Sequence, residues 1–297
     1  MNRETSAKLD LAIRGGTIVD GTGEPGRIAD VGVRDGRFVC VGEVNERARR
    51  EIDATGMLVT PGWVDIHTHY DGQATWDSML SPSCWHGVTT VVMGNCGVGF
   101  APVHPGDQDY LIKLMEGVED IPGTALSEGI DWQWESFPEY LNAIEAKAHP
   151  IDIGAQIPHA ALRLYVMGER GADHTEVPTP EEITEMSRLV RESIEAGALG
   201  FTTSRTVLHR SSDGRHTPSL TATSDELLGI SRALGEVGQG AFEMVTDHMT
   251  EDDEWELMRS IVRVSGGRPL SVSMVQYDDT PFAYREQLEQ LRRSNEI

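Results

Sequence analysis

From residue 61 onward the chain repeats one pattern: a short apolar run, a loop, then a stretch with helical spacing. The apolar runs fall at 62–67, 89–94, 151–157, 199–204, 241–245 and 270–275. The clearest helix opens at Thr179-Pro180-Glu181-Glu182 and runs to Ala196, where Gly197 stops it. A threonine cap followed by proline suits a helix start, because the N–H that proline lacks has no intrahelical partner there. A second helix is predicted from near Ser224 to near Gly238, and a last one from Pro281 to about Ser294. Apolar strands alternating with helices make parallel βαβ units. Six such strands predict an α/β fold: a TIM-like (β/α)8 barrel over 61–297, incomplete at about six β/α units. An open doubly wound sheet is the alternative, but no G-x-G-x-x-G follows a strand to support a nucleotide fold.

Residues 1–60 read as a separate, small N-terminal β domain. Leu9-Asp10-Leu11-Ala12-Ile13-Arg14 alternates, Gly15-Gly16 turns, and a strand from Thr17 follows. Two more strands flank the tight turn at Asp35-Gly36, and runs at 51–54 and 57–60 complete what reads as a small antiparallel unit. Its core is too small to be comfortable alone, so it is expected to pack on something else. A long insertion, 101–149, follows the second barrel strand and carries Trp132, Trp134, Phe137 and Tyr140. Loops leaving the C-terminal ends of barrel strands shape barrel active sites.

The strongest chemical signal is His67-Thr68-His69, at the end of the first barrel strand. On an extended chain residues i and i+2 share a face, so both imidazoles can reach one ion. The pair alone also occurs by chance in soluble chains. A second signal, Gly94-Asn95-Cys96-Gly97, closes the second strand. A lone cysteine usually packs as a small hydrophobe, which is the reading for Cys40. Cys96 differs in sitting among glycines at a strand's C-terminal end.

Charge narrows the partners. With 25 Lys and Arg against 48 Asp and Glu, the net charge is −23. So acidic a chain offers no basic face for nucleic acid, and a small-molecule substrate is expected instead. No apolar run is long enough for a membrane span. The first residues lack the apolar core of a signal peptide, and three widely spaced cysteines, Cys40, Cys84 and Cys96, suit a reducing compartment. A cytoplasmic location is expected, with the oligomeric state left open.

The segment Thr60-Pro61-Gly62-Trp63-Val64-Asp65-Ile66-His67-Thr68-His69 resembles the opening barrel motif of the amidohydrolase superfamily, and Ile52-Asp53-Ala54-Thr55-Gly56 resembles its lead-in. The stretch from Gly87 to Gly97 is similar to the D-aminoacylase, or N-acyl-D-amino-acid deacylase, branch. In that branch this cysteine is a metal ligand. Residues 158–163 and 195–205 resemble further segments of the same deacylases. The resemblance implies a metal-dependent barrel that hydrolyses non-peptide carbon–nitrogen amide bonds, with N-acyl-D-amino acids as substrates. It implies one or two zinc ions held by His67, His69 and Cys96. Candidates for orienting a substrate carboxylate are His159, Arg163, Arg205, His209 and Arg210, since arginine offers a bidentate fork. Relatives that bridge two metals use a lysine on the fourth strand. This chain has lysines only at 8, 113 and 147, none at a strand end.

The pattern also departs from that branch, which takes one metal-binding histidine from each of the fifth and sixth strands. Here the fifth strand places Glu243 near the ligand position, with Asp247 and His248 further along, and the sixth offers no strong ligand. Glu243 as a zinc ligand is chemically sound; a buried glutamate paired with arginine is the alternative. The resemblance puts the catalytic aspartate on an eighth strand, after residue 297, so the sequence reads as C-terminally truncated. Another cyclic-amide or ester hydrolase, a non-catalytic barrel relative and an inactive fragment are the rival readings.

Overall fold

The computed structural model describes residues 8–249, 251–276 and 278–295. They divide into two compact units, up to residue 63 and from residue 64. In the first, β1 (Leu9–Ile18) is the central strand, joined by β2 (Arg27–Arg34), β3 (Arg37–Gly42), β4 (Ala48–Asp53) and β5 (Leu58–Val59). The sheet is mixed, which corrects the antiparallel expectation. β1 pairs antiparallel with β2 but parallel with β4 and β5. Nor does Gly15-Gly16 end a strand. β1 continues through it, and the register against β2 slips between Ile13 and Gly16. The two glycines thus mark a bulge, where Gly15 adopts a φ of +67°. Cys40 is only half-buried, with its thiol directed to the Glu43 carbonyl.

The second unit carries the expected alternation. Its six strands are β6 (Trp63–Asp65), β7 (Val88–Met93), β8 (Asp152–Pro158), β9 (Gly200–Arg205), β10 (Ala241–Thr246) and β11 (Leu270–Ser273). They lie side by side in sequence order, and the pairings from β7 to β11 are parallel. This is the curled parallel sheet of a partial barrel that the strand–helix alternation predicts. β9 and β10 are buried almost throughout, as strands covered on both faces must be. The helices are α1 (Gln108–Glu119), α2 (Gly123–Gly129), α3 (Phe137–Glu145), α4 (His159–Met167), α5 (Pro180–Glu195), α6 (Ser224–Val237), α7 (Asp252–Val264) and α8 (Ala283–Ser294). Thr179 caps α5 in a closed capping box: its hydroxyl accepts from Glu182 N and the Glu182 carboxylate accepts from Thr179 N.

The 101–149 insertion is not a bare loop, because α1, α2 and α3 lie within it. Its aromatics form a small core of their own: Tyr140 packs edge-on against Trp134 and Phe137, and Trp134 Nε1 donates to Phe100 O. Tyr140 also donates its hydroxyl to Asp71 O at 2.8 Å. The insertion is therefore tied to the backbone just past the His67-Thr68-His69 segment.

Candidate metal centre

Two loops at the strand ends are locked together. Thr68 ties the first to β7, since its N–H and its hydroxyl both donate to Val92 O, at 2.9 and 2.7 Å. With Thr68 so fixed, His67 and His69 flank it. The 94–97 loop is held from several sides. Asn95 Nδ2 donates to Thr68 O and Val92 O, and Gln156 Nε2 on β8 donates to Asn95 Oδ1. From β9, Thr202 Oγ1 accepts from Gly97 N and donates to Gly94 O. Gly94 is required by both backbone and space: its φ is +84°, and a Cβ there would lie 2.1 Å from Gln156 O.

The result brings three metal-type donors together. One ring nitrogen each of His67 and His69 and the Cys96 thiol all lie within 4.8 Å of one another. His67 Nε2 is 3.2 Å from Cys96 Sγ. His67 lies on the solvent side and Cys96 is buried. Glu243 stands beside this group without being part of it. Its Oε2 accepts from Cys96 N at 3.2 Å and its Oε1 from Ser273 Oγ at 3.3 Å. Glu243 is buried, but no arginine pairs with it among the described residues.

Burial dominates the electrostatics of the cluster. Burial raises Glu243 to about 7, against a smaller opposing effect of the hydrogen bonds from Cys96 N and Ser273. Burial also raises Asp71 to about 7 and Glu119 to about 7. The Cys96 thiol is pushed far above its usual range by burial, then by Glu243, Glu119 and Asp71. His69 is held down to about 3 by burial, with His67 and His209 nearby. Two buried polar atoms here, His69 Nδ1 and Asp71 Oδ2, have no hydrogen-bond partner among the described residues. A soft thiol, two neutral imidazoles, unpartnered lone pairs and buried carboxyls form a donor set that fits a divalent cation such as zinc. Close to such an ion a thiol deprotonates outright.

The other candidate residues are placed variously. His159 and Arg163, expected at a substrate carboxylate, are wholly buried around Glu226. Arg163 Nη1 donates to both Glu226 oxygens at 2.6 and 2.7 Å, Nη2 donates to Glu176 O, and His159 Nε2 lies 3.1 Å from Glu226. Burial raises the Glu226 carboxyl, but His159 and Arg163 outweigh it and hold the group below its ordinary range. The two Arg163 Nη atoms are thus engaged by Glu226 and Glu176, while its Nε has no hydrogen-bond partner among the described residues. Arg205 is paired with Glu254 and bonds Ala222 O. Among the described residues, the Arg210 side chain bonds its own loop, at Val207 O and Gly214 O. His209 is the exception. Its Nδ1 is 2.8 Å from Ser204 Oγ, and the ring is close enough to His67 and His69 to depress the titration of His69. Asp247 bonds Thr206 and Val207 N, and His248 pairs with Glu251, so both hold loops. Sequence reasoning missed Glu119, the last residue of α1, whose Oε1 lies 3.2 Å from His69 Nε2. Its only available signal was a place inside the insertion.

Residues 50–295 match the model of the Amidohydrolase family. The chain belongs to this family. Within the family it resembles deacylases. It is 31% identical over 276 residues to the D-aminoacylase of Alcaligenes xylosoxydans xylosoxydans, covering 93% of this chain and 51% of that protein. A solved D-aminoacylase described by its binuclear metal centre superposes with a TM-score of 0.77 at 29% identity, over 96% of this chain and 56% of that one. The N-acyl-D-glutamate deacylase of Bordetella bronchiseptica, solved with zinc and a phosphonate mimic of the tetrahedral intermediate, gives 0.72 at 31% identity, over 97% and 56%. This amidohydrolase thus spans about half the length of the curated relative it matches.

Proposed function

We propose that this chain carries the metal-binding part of a hydrolase that deacylates N-acyl-D-amino acids, a cytoplasmic enzyme acting on a small-molecule substrate. The observation that carries the reading is the convergence of metal-type donor atoms of His67, His69 and Cys96 within 4.8 Å of one another. These three residues would hold one zinc ion, or part of a pair, with Glu243 as the adjacent carboxylate ligand. When bound, such an ion polarises a carbonyl and lowers the pKa of water, both of which an amide hydrolysis needs.

The chain's own residues prepare that site. Thr68 and the Asn95–Gln156 contact fix where the two loops end, so the donors are placed before any ion arrives. The Glu243 carboxylate anchors the Cys96 backbone from the side. His209, with Nδ1 engaged by Ser204, keeps Nε2 available for a substrate oxygen.

The test is metal content by mass spectrometry on purified protein, beside a variant combining His67→Ala and His69→Ala. About one zinc or more per chain, lost in the variant, is the expected result. A folded wild-type sample with no bound metal overturns the reading. Release of free D-amino acid from N-acyl-D-amino acids, absent with the L-forms, is then the expected activity.

A further inference from the structure

A surface helix ordinarily turns its leucines inward, and α8 does not. Its buried side chain is Gln287, 7% exposed, while the adjacent Leu288 is 49% exposed. A buried polar group is the informative departure from the usual pattern. Gln287 Oε1 is buried and has no hydrogen-bond partner among the described residues, which costs free energy until something supplies a partner.

Gln287 lines a cavity of about 80 Å³ at the C-terminal ends of β9, β10 and β11, the face on which barrel enzymes carry their sites. The cavity adjoins the donor cluster through two of its walls. Ser273 donates to the Glu243 carboxylate, which in turn accepts from Cys96 N. His209 lies close enough to His69 to influence it. Most polar groups of the wall are engaged within the protein. Thr206 Oγ1 donates to Asp247 Oδ1, Asp247 Oδ2 accepts from Val207 N, and Thr246 Oγ1 donates to Glu254. Leu208, Val245, Met249 and Val275 supply the apolar remainder, and no lysine or arginine lines the cavity.

Resting on the deacylase reading above, we propose that this cavity takes the side chain of the N-acyl-D-amino acid and selects a short, uncharged one ending in a hydroxyl, with Gln287 as the specificity-determining residue. With a water's share of liquid volume at about 30 Å³, the space holds about two or three non-hydrogen atoms, as many as the side chains of serine and threonine have. A hydroxyl both donates and accepts, so it can pair with either end of the Gln287 amide. A carboxylate side chain would meet Asp247 with no cation in the wall to balance it, which disfavours acidic substrates.

The test compares kcat/KM for N-acetyl-D-serine and N-acetyl-D-α-aminobutyrate, which differ only by methyl in place of hydroxyl. Serine should lead by about 10–100-fold, N-acetyl-D-aspartate should fall below both, and Gln287→Leu should bring the serine-to-aminobutyrate ratio close to one. No preference in the wild type, aspartate matching serine, or an unchanged ratio in the variant overturns the proposal. Gln287→Leu should also melt at or above the wild-type temperature, since it removes a buried amide oxygen that has no partner. A lower melting temperature would show the amide already engaged by the protein, and overturns the proposal as well. If zinc-loaded protein hydrolyses none of these compounds, the deacylase reading fails instead. The Kd values of the serine and aminobutyrate compounds, measured by calorimetry, then decide the cavity: the same preference supports it and equal values overturn it.

Discussion

At the scale of single residues, buried carboxyls divide by what stands next to them. Glu226 has Arg163 and His159 and stays ionised in the interior. Removing it by Glu226→Ala would leave the Arg163 cation buried and alone, which should cost about 3–5 kcal/mol in urea unfolding at unchanged m-value. Glu243 has no such partner, and the direction of its pH dependence follows from that. Its folded-state value is about 7 against 4.5 for the free side chain. Between those values the folded protein binds more protons than the unfolded one, so this group's contribution to stability falls as pH rises. In chelator, wild type should lose up to about 3 kcal/mol relative to Glu243→Gln between pH 4 and pH 8. Thermal melts of both proteins across that range check this, and a pH-independent difference would show that Glu243 does not titrate as a buried acid.

At the scale of elements, the same four-residue pattern does two jobs. Thr179-x-x-Glu182 and Thr223-x-x-Glu226 look alike in sequence. Only the first closes its box. At α6 Thr223 caps Glu226 N, but the Glu226 carboxylate turns inward to Arg163 and His159. Thr179→Ala should therefore cost only about 1 kcal/mol, read in chemical denaturation. Gly94→Ala should be far worse, because a Cβ at that position meets the β8 backbone. The expected outcome is a large loss of melting temperature or no folded protein, and any folded fraction should bind zinc poorly, since Gly94 precedes Asn95 and Cys96.

At the scale of the whole molecule, charge is the dominant property. A net charge of −23 repels itself in the folded state. Raising NaCl from about 0.01 to about 0.15 M shortens the Debye length to about 8 Å and should raise the melting temperature of the metal-free protein. The surface ion pairs that salt weakens contribute little in comparison. A melting temperature that falls with salt would mean those pairs matter more than the net repulsion. No described helix is long and apolar enough to cross a membrane.

The sequence by itself determined the elements of the barrel sheet and the two motifs that end them. Apolar runs bounded by turns placed all six strands to within a few residues, and the helices predicted to start at the Thr179 cap and near Ser224 begin there. His67, His69 and Cys96 were legible because each motif sits at a strand end, and strand periodicity fixes which way neighbouring side chains point. Only the tertiary structure decided the rest. Nothing local distinguishes Arg163 bound to Glu226 from an arginine waiting for a substrate, since their partners lie 63 residues apart in the chain. The mixed pairing of β1 with β4 and β5, and the delivery of Glu119 to His69 by a helix 50 residues downstream, are likewise long-range contacts. Periodicity reports the face a residue occupies, and only packing reports what that face meets.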